Sequence, residues 1–113
     1  IVRLQAILEQ NPRVARSLEG RSSAERIFSV GPSALLGLAE KVSPGGWLVY
    51  ADSDLLFLGS LKVYLDEFSD ANVVITPHRH HAWNKRRLAK FGEFNVGLVA
   101  FRNSEEGLRA LRL

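Results

Sequence analysis

The chain has 113 residues, 46% of them hydrophobic and 24% charged, with nine Gly, four Pro and no Cys or Met. That length buries a core in one ordinary globular domain, and the composition excludes a disordered or collagen-like chain, disulfides and thiolate metal sites. The net charge of +3 points only weakly to an anionic partner.

No apolar run approaches the roughly 18 residues of a membrane span, so no transmembrane helix is expected in this segment. The first residues do not read as a signal peptide. Lack of Cys fits a reducing cytoplasm without establishing it. The expected location is cytoplasmic, or peripheral to the inner membrane. The absence of Met, and an apolar pattern of Leu108, Leu111 and Leu113 that runs to the last residue, predict one domain over 1–113, cut at both ends from a larger one.

In chain order, Val2, Leu4, Ile7 and Leu8 predict a helix over 2–9, ended by Asn11 and Pro12. Pro12 suits the first turn of a second short helix over 13–19, closed by Gly20. Ser22 or Ser23 caps a helix through Ile27 and Phe28, which Gly31-Pro32 is expected to interrupt. Another helix follows, burying Leu35, Leu36, Leu38, Ala39 and Val42, and residues 43–46 (SPGG) form a turn. Trp47–Ala51 is apolar without alternation, as in a strand covered on both faces. Residues 55–58 read as a second short extended piece. Leu61, Tyr64, Leu65 and Phe68 return to helical spacing. Residues 73–76 are a β-branched strand, 77–90 a polar, basic, partly helical stretch, and 96–101 the last strand. Asn103 or Ser104 starts a closing helix. Strands alternating with helices predict an α/β fold with a mainly parallel sheet flanked by helices.

Three constellations carry chemistry. The first is WLVYADSDLLFL, residues 47–58, where Asp52 and Asp54 interrupt an apolar run just past a strand end. Open α/β sheets bind ligands there. In extended chain, residues two apart face one way, so the carboxylates would share a point and Ser53 would turn aside. Two unpaired buried carboxylates repel, and a hard dication, Mg²⁺ or Mn²⁺, resolves this with open positions left for phosphate oxygens. Chance alone gives on the order of 0.4 Asp-x-Asp in such a chain, and turn or cap aspartates are the plain alternative.

The second is TPHRHHAWNKRRLAK, residues 76–90, with three His and five cationic side chains. His78 and Arg79 are nearest the strand end and suit phosphate oxygens. His78 and His80 have a strand-like spacing that would suit one metal. Lys85, Arg86, Arg87 and Lys90 read as a solvated surface. Nucleic acid is not the expected partner, because Trp83 is the only interleaved aromatic and no binding motif is present. The third is FGEFNVGLVAFRN, residues 91–103. Asn95 there can donate to and accept from sugar hydroxyls, and Gly97 permits close approach by a ligand or backbone. A turn asparagine and a packing glycine explain the pair equally well.

The chain has no G-x-G-x-x-G, Walker loop, G-x-S-x-G or H-E-x-x-H. A haloacid-dehalogenase-like, Mg-dependent phosphohydrolase would use Asp52 as nucleophile and Asp54 as acid. Leu55-Leu56 and the mid-chain position of the pair depart from that pattern. A basic nucleic-acid-binding module is the other alternative.

Taken in order, YADSDLLF, VVITPHRH and FGEFNVGLVAFRN followed by SEEGLRAL resemble the nucleotide-diphospho-sugar transferases of GT-A fold, particularly bacterial D-x-D glycosyltransferases. The segment ERIFSVGPSALLGLAEKV resembles what precedes the D-x-D strand in that group, so the likeness covers roughly residues 24–113. It implies a partial, Rossmann-like three-layer domain that moves a sugar from a nucleotide-diphosphate donor to a glycan, lipid-linked or protein acceptor. By resemblance Asp52 lies near the donor ribose or the metal, Asp54 is the firmer Mn²⁺ or Mg²⁺ ligand, and Asn95 and Gly97 line the sugar or acceptor side. Asp52, Ser53, Asp54, His78, Arg79, Asn95 and Gly97 are thus the candidate donor-binding residues.

Overall fold

The structure, a computed structural model, describes residues 4–10, 12–79 and 92–112. Helices α1 (Leu4–Gln10), α2 (Pro12–Ser17) and α3 (Ser23–Leu38) come first, and a 3₁₀ turn, Ala39–Lys41, follows α3. Strand β1 (Trp47–Ala51), helix α4 (Leu61–Asp66), strands β2 (Val73–Pro77) and β3 (Phe94–Arg102) and helix α5 (Glu105–Leu111) follow among the described residues.

Helix α3 starts at a capping box. Ser22 N–H donates to Glu25 Oε2 at 2.8 Å, and Glu25 N–H donates to Ser22 Oγ at 3.4 Å. The Ser22 hydroxyl, then its N–H, holds the Glu25 carboxyl below the usual range. The expected break at Gly31-Pro32 does not occur: one 16-residue helix runs through Pro32. Proline removes a helical N–H and strains the turn before it. Here Val30 and Leu35 are buried on either side of Pro32, and Leu35 with Ala39 just beyond packs on Leu48 of β1.

Among the described residues the sheet has three strands in the order β1-β3-β2, and both outer strands run antiparallel to β3. A mainly parallel sheet is therefore overturned. Alternation of helix and strand does not encode strand direction. Direction is settled by contacts distant in sequence at the far end of β3. Gly45 N–H donates to the Asn103 carbonyl at 2.9 Å, and Asn103 N–H donates to that of Gly46 at 2.7 Å. The Asn103 amide also donates to the carbonyls of Ala39 and Val42, closing the end of the helical segment. Arg102 forks to Ala71 O at 2.8 Å, Gly45 O at 3.1 Å and Phe68 O at 3.0 Å. Its guanidinium lies 4.1 Å from the Trp47 ring centroid. These bonds draw β3 between β1 and β2.

Apolar side chains pack on both faces. Leu35, Ala39, Leu48 and Leu111 form one cluster, joining α3 and α5 to β1, with Tyr50 and Phe101 against it. Leu65, Val74 and Ala100 form the other, under α4, with Trp47 and Val49. Residues 55–58, expected to be extended, form no strand and are exposed. An extended segment needs a partner for its backbone, and none of the three strands pairs with this one. The closing helix begins as expected: Ser104 Oγ accepts from Gly107 N–H at 3.2 Å.

Candidate functional site

Because β3 runs against its neighbours, the ends of β1 and β2 and the start of β3 meet at one end of the sheet. Asp52 follows β1, and His78 and Arg79 follow β2. Asn95 and Gly97 lie in the first half of β3.

Asp52 N–H donates to the Gly97 carbonyl at 2.8 Å, the last rung between these strands. The chain then turns, with Leu55 N–H donating to Asp52 O at 3.3 Å. This turn overturns the expectation that Asp52 and Asp54 face one way by strand alternation, because alternation holds only in extended backbone. Asp52, Ser53 and Asp54 are all exposed, so the repulsion of buried carboxylates does not operate either.

Asp52 is nonetheless held. The Tyr50 hydroxyl donates to its Oδ1 at 2.7 Å. That bond first, then desolvation and the carboxylate charge, raises the Tyr50 pKa. Asn95 Oδ1 accepts from Gly97 N–H at 2.8 Å. A β-carbon on Gly97 would stand 3.1 Å from Asp52 Oδ2 and 3.1 Å from Asn95 Oδ1. The two oxygens therefore lie within twice that distance of each other. The close approach expected at Gly97 is made by these two side chains, in space that a larger residue would take.

On the other side of β3, the register slips. Ile75 pairs with Val99, but Thr76 pairs with Asn95, so Val96, Gly97 and Leu98 have no partner on β2. Pairing resumes at Pro77 with Phe94, and His78 N–H donates to Glu93 O at 2.7 Å. The slip leaves the Gly97 segment bonded on its β1 side alone while Asn95 stays beside Thr76. Arg79, Thr76 and Asn95 share the wall of an open cleft of about 630 Å³ with Tyr64 and Phe68. Arg79 also borders a second cleft beside Leu56, Phe57 and Leu58.

Asp52, Asn95 and Gly97 are thus in direct proximity, and Asn95 joins Arg79 along one cleft. Ser53 and Asp54 stand on the adjoining turn, and His78 is half-buried at the strand end. His80, Trp83, Lys85, Arg86, Arg87 and Lys90, with the helical expectation for that stretch, lie outside the described residues. Tyr50 was missed by sequence reasoning. Its signal was present: it stands near the end of β1, two residues before Asp52 and within reach of the same side.

The residues present suit a hard dication in part. The Asp52 and Asp54 carboxylates and the Asn95 amide oxygen are all-oxygen donors of the type Mg²⁺ and Mn²⁺ take. Among the described residues, no three of His, Asp and Glu gather into a ready-made shell. The donor set fits an ion that keeps waters and takes further oxygens from a ligand. No known protein family, curated protein or solved structure matches the chain.

Proposed function

We propose that the chain is part of a larger, metal-dependent glycosyltransferase domain that moves a sugar from a nucleotide-diphosphate donor to a glycan, lipid-linked or protein acceptor. The observation that supports this most is the meeting of Asp52 and Asn95 over Gly97, beside the cleft that Arg79 lines. Asp52 and Asp54 hold Mn²⁺ or Mg²⁺ on the open turn. Tyr50 fixes the orientation of the Asp52 carboxylate. Arg79 and His78 donate to the diphosphate oxygens, whose charge grows as the sugar leaves. Asn95 hydrogen-bonds sugar hydroxyls. The ion, when bound, supplies Lewis-acid stabilisation of the leaving diphosphate.

Electron paramagnetic resonance of free Mn²⁺ tests this directly. Loss of the free-ion signal on adding the chain, enhanced by a nucleoside diphosphate and reversed by Asp54→Asn, is the expected result. Nucleoside diphosphate binding that ignores both the metal and Asp54 would reject the reading.

A further inference from the structure

Strand β1 is open along one side. Asp52 N–H donates to Gly97 O, and Asn103 N–H to Gly46 O, so within β1 it is Leu48 and Tyr50 that bond β3. In an antiparallel ladder the residues between them turn N–H and C=O the other way. Trp47, Val49 and Ala51 thus present main-chain donors and acceptors along the outer edge, and β1 has no neighbouring strand there among the described residues. Such an edge is a template for another strand, and proteins usually blunt it with Pro, charge or a bulge. The other outer strand is blunted in this way: β2 slips register between Ile75 and Thr76 and ends in Pro77. Trp47–Ala51 keeps an unbroken register and has neither Pro nor charge.

A groove of about 530 Å³ opens on the same side. Ile27, Val30, Ala34 and Leu35 of α3 and Tyr50 of β1 line it. No residue of β3 reaches it, whereas Val96, Val99 and Phe101 of β3 line the pocket on the other flank of α3. The groove therefore lies over the space beside the open edge of β1. Its α3 wall is apolar there, with Ile27 66% exposed, and the one cation in the wall, Arg26, donates its Nε–H to Leu18 O at 3.3 Å.

We propose that this edge is a docking seam for an extended strand of a partner polypeptide with apolar side chains at alternate positions. The edge calls for main-chain N–H and C=O at strand spacing, which an extended chain supplies. The groove calls for apolar groups on the α3 face, which period-two alternation supplies. A helix has its own backbone groups already bonded, and a lipid or a small apolar ligand would leave the edge unpaired. A second copy is a poorer fit. Antiparallel pairing of two β1 edges would put both α3 helices on one face of the joined sheet, each claiming the groove space beside the other's β1. The inference does not depend on the transferase reading.

Fluorescence anisotropy without metal or nucleotide tests the seam, with a fluorescein-labelled, end-capped peptide of alternating Thr and Val flanked by Lys as the probe. The chain should bind it, and should not bind the same peptide with Pro at its two central positions. Val49→Pro removes one outward N–H and leaves the bonds to β3 in place, so it should weaken binding about fivefold or more. Ile27→Glu puts a charge into the groove and should weaken binding about tenfold or more. Its thermal unfolding should be unchanged, because Ile27 is already largely in solvent, so this arm stands even if Val49→Pro fails to fold. No binding by the wild type, equal binding of the Pro-containing peptide, or equal binding by Ile27→Glu would overturn the proposal and leave the Mn²⁺ experiment unaffected. So would a wild-type dimer that Ile27→Glu dissolves and the peptide does not, which would make the edge a contact between copies.

Discussion

The Tyr50 hydroxyl and the Asp52 carboxylate are joined by a 2.7 Å hydrogen bond at the end of β1. The bond favours the protonated phenol and raises its pKa in the folded protein. A raised folded value means that the stabilisation is complete below the unfolded tyrosine pKa of about 10 and is lost as pH rises through the folded value. Tyr50→Phe should therefore flatten the alkaline decline in stability. Urea midpoints measured from neutral to alkaline pH check this, and identical alkaline limbs in both proteins would count against it.

Gly97→Ala should separate site geometry from folding. The new methyl would press on the ends of two side chains, Asp52 and Asn95, which can shift by a few tenths of an ångström. The expected stability loss is within about 1 kcal/mol. Mn²⁺ binding should weaken by a larger factor, because both oxygens are displaced. Denaturant titration beside the Mn²⁺ titration gives the comparison.

Gly107→Ala should behave oppositely. Gly107 is buried at the start of α5, and its added β-carbon would collide with the backbone carbonyl of Arg102. Backbone cannot rotate away as a side-chain end can. The variant should lose about 3 kcal/mol or fail to fold. A wild-type urea midpoint would show that α5 moves freely against β3.

Arg102→Lys keeps the charge but loses the planar fork that reaches Ala71, Gly45 and Phe68. A loss of about 2 kcal/mol is expected. The emission of Trp47 should change with it, since the guanidinium stacks on that ring. Equal stability of the two proteins would remove Arg102 from its structural role.

Much of the local structure was legible. Trp47–Ala51 is the expected strand to the residue, and each helix cap falls on one of the two candidates expected, Ser22 rather than Ser23 and Ser104 rather than Asn103. These features depend on neighbours within a few positions. Pro32 was misread because its local cost is offset by burial of Val30 and Leu35, which the local sequence does not display. Strand direction was misread because it depends on Arg102 and Asn103 reaching residues 31 to 64 positions away. At the candidate site, the proximity of Asp52 to Asn95 and Gly97 required the register of β1 on β3, which no single stretch contains. The aspartate spacing was visible, but its turn conformation was not.

The clasp of Arg102 and Asn103 has a consequence for how the molecule can change. It ties β3 to the turn before β1, and Arg102 to the chain leading into β2. At the opposite end the described ties are the Asp52–Gly97 and His78–Glu93 backbone bonds and the Tyr50–Asp52 and Asn95–Gly97 contacts. Insertions and substitutions should be absorbed unequally, with the turn after Asp52 free to lengthen or change composition while 43–46 and 102–104 stay fixed. Such a sheet works as a hinge-pinned frame: new specificities can be tried at the open rim without renegotiating the fold.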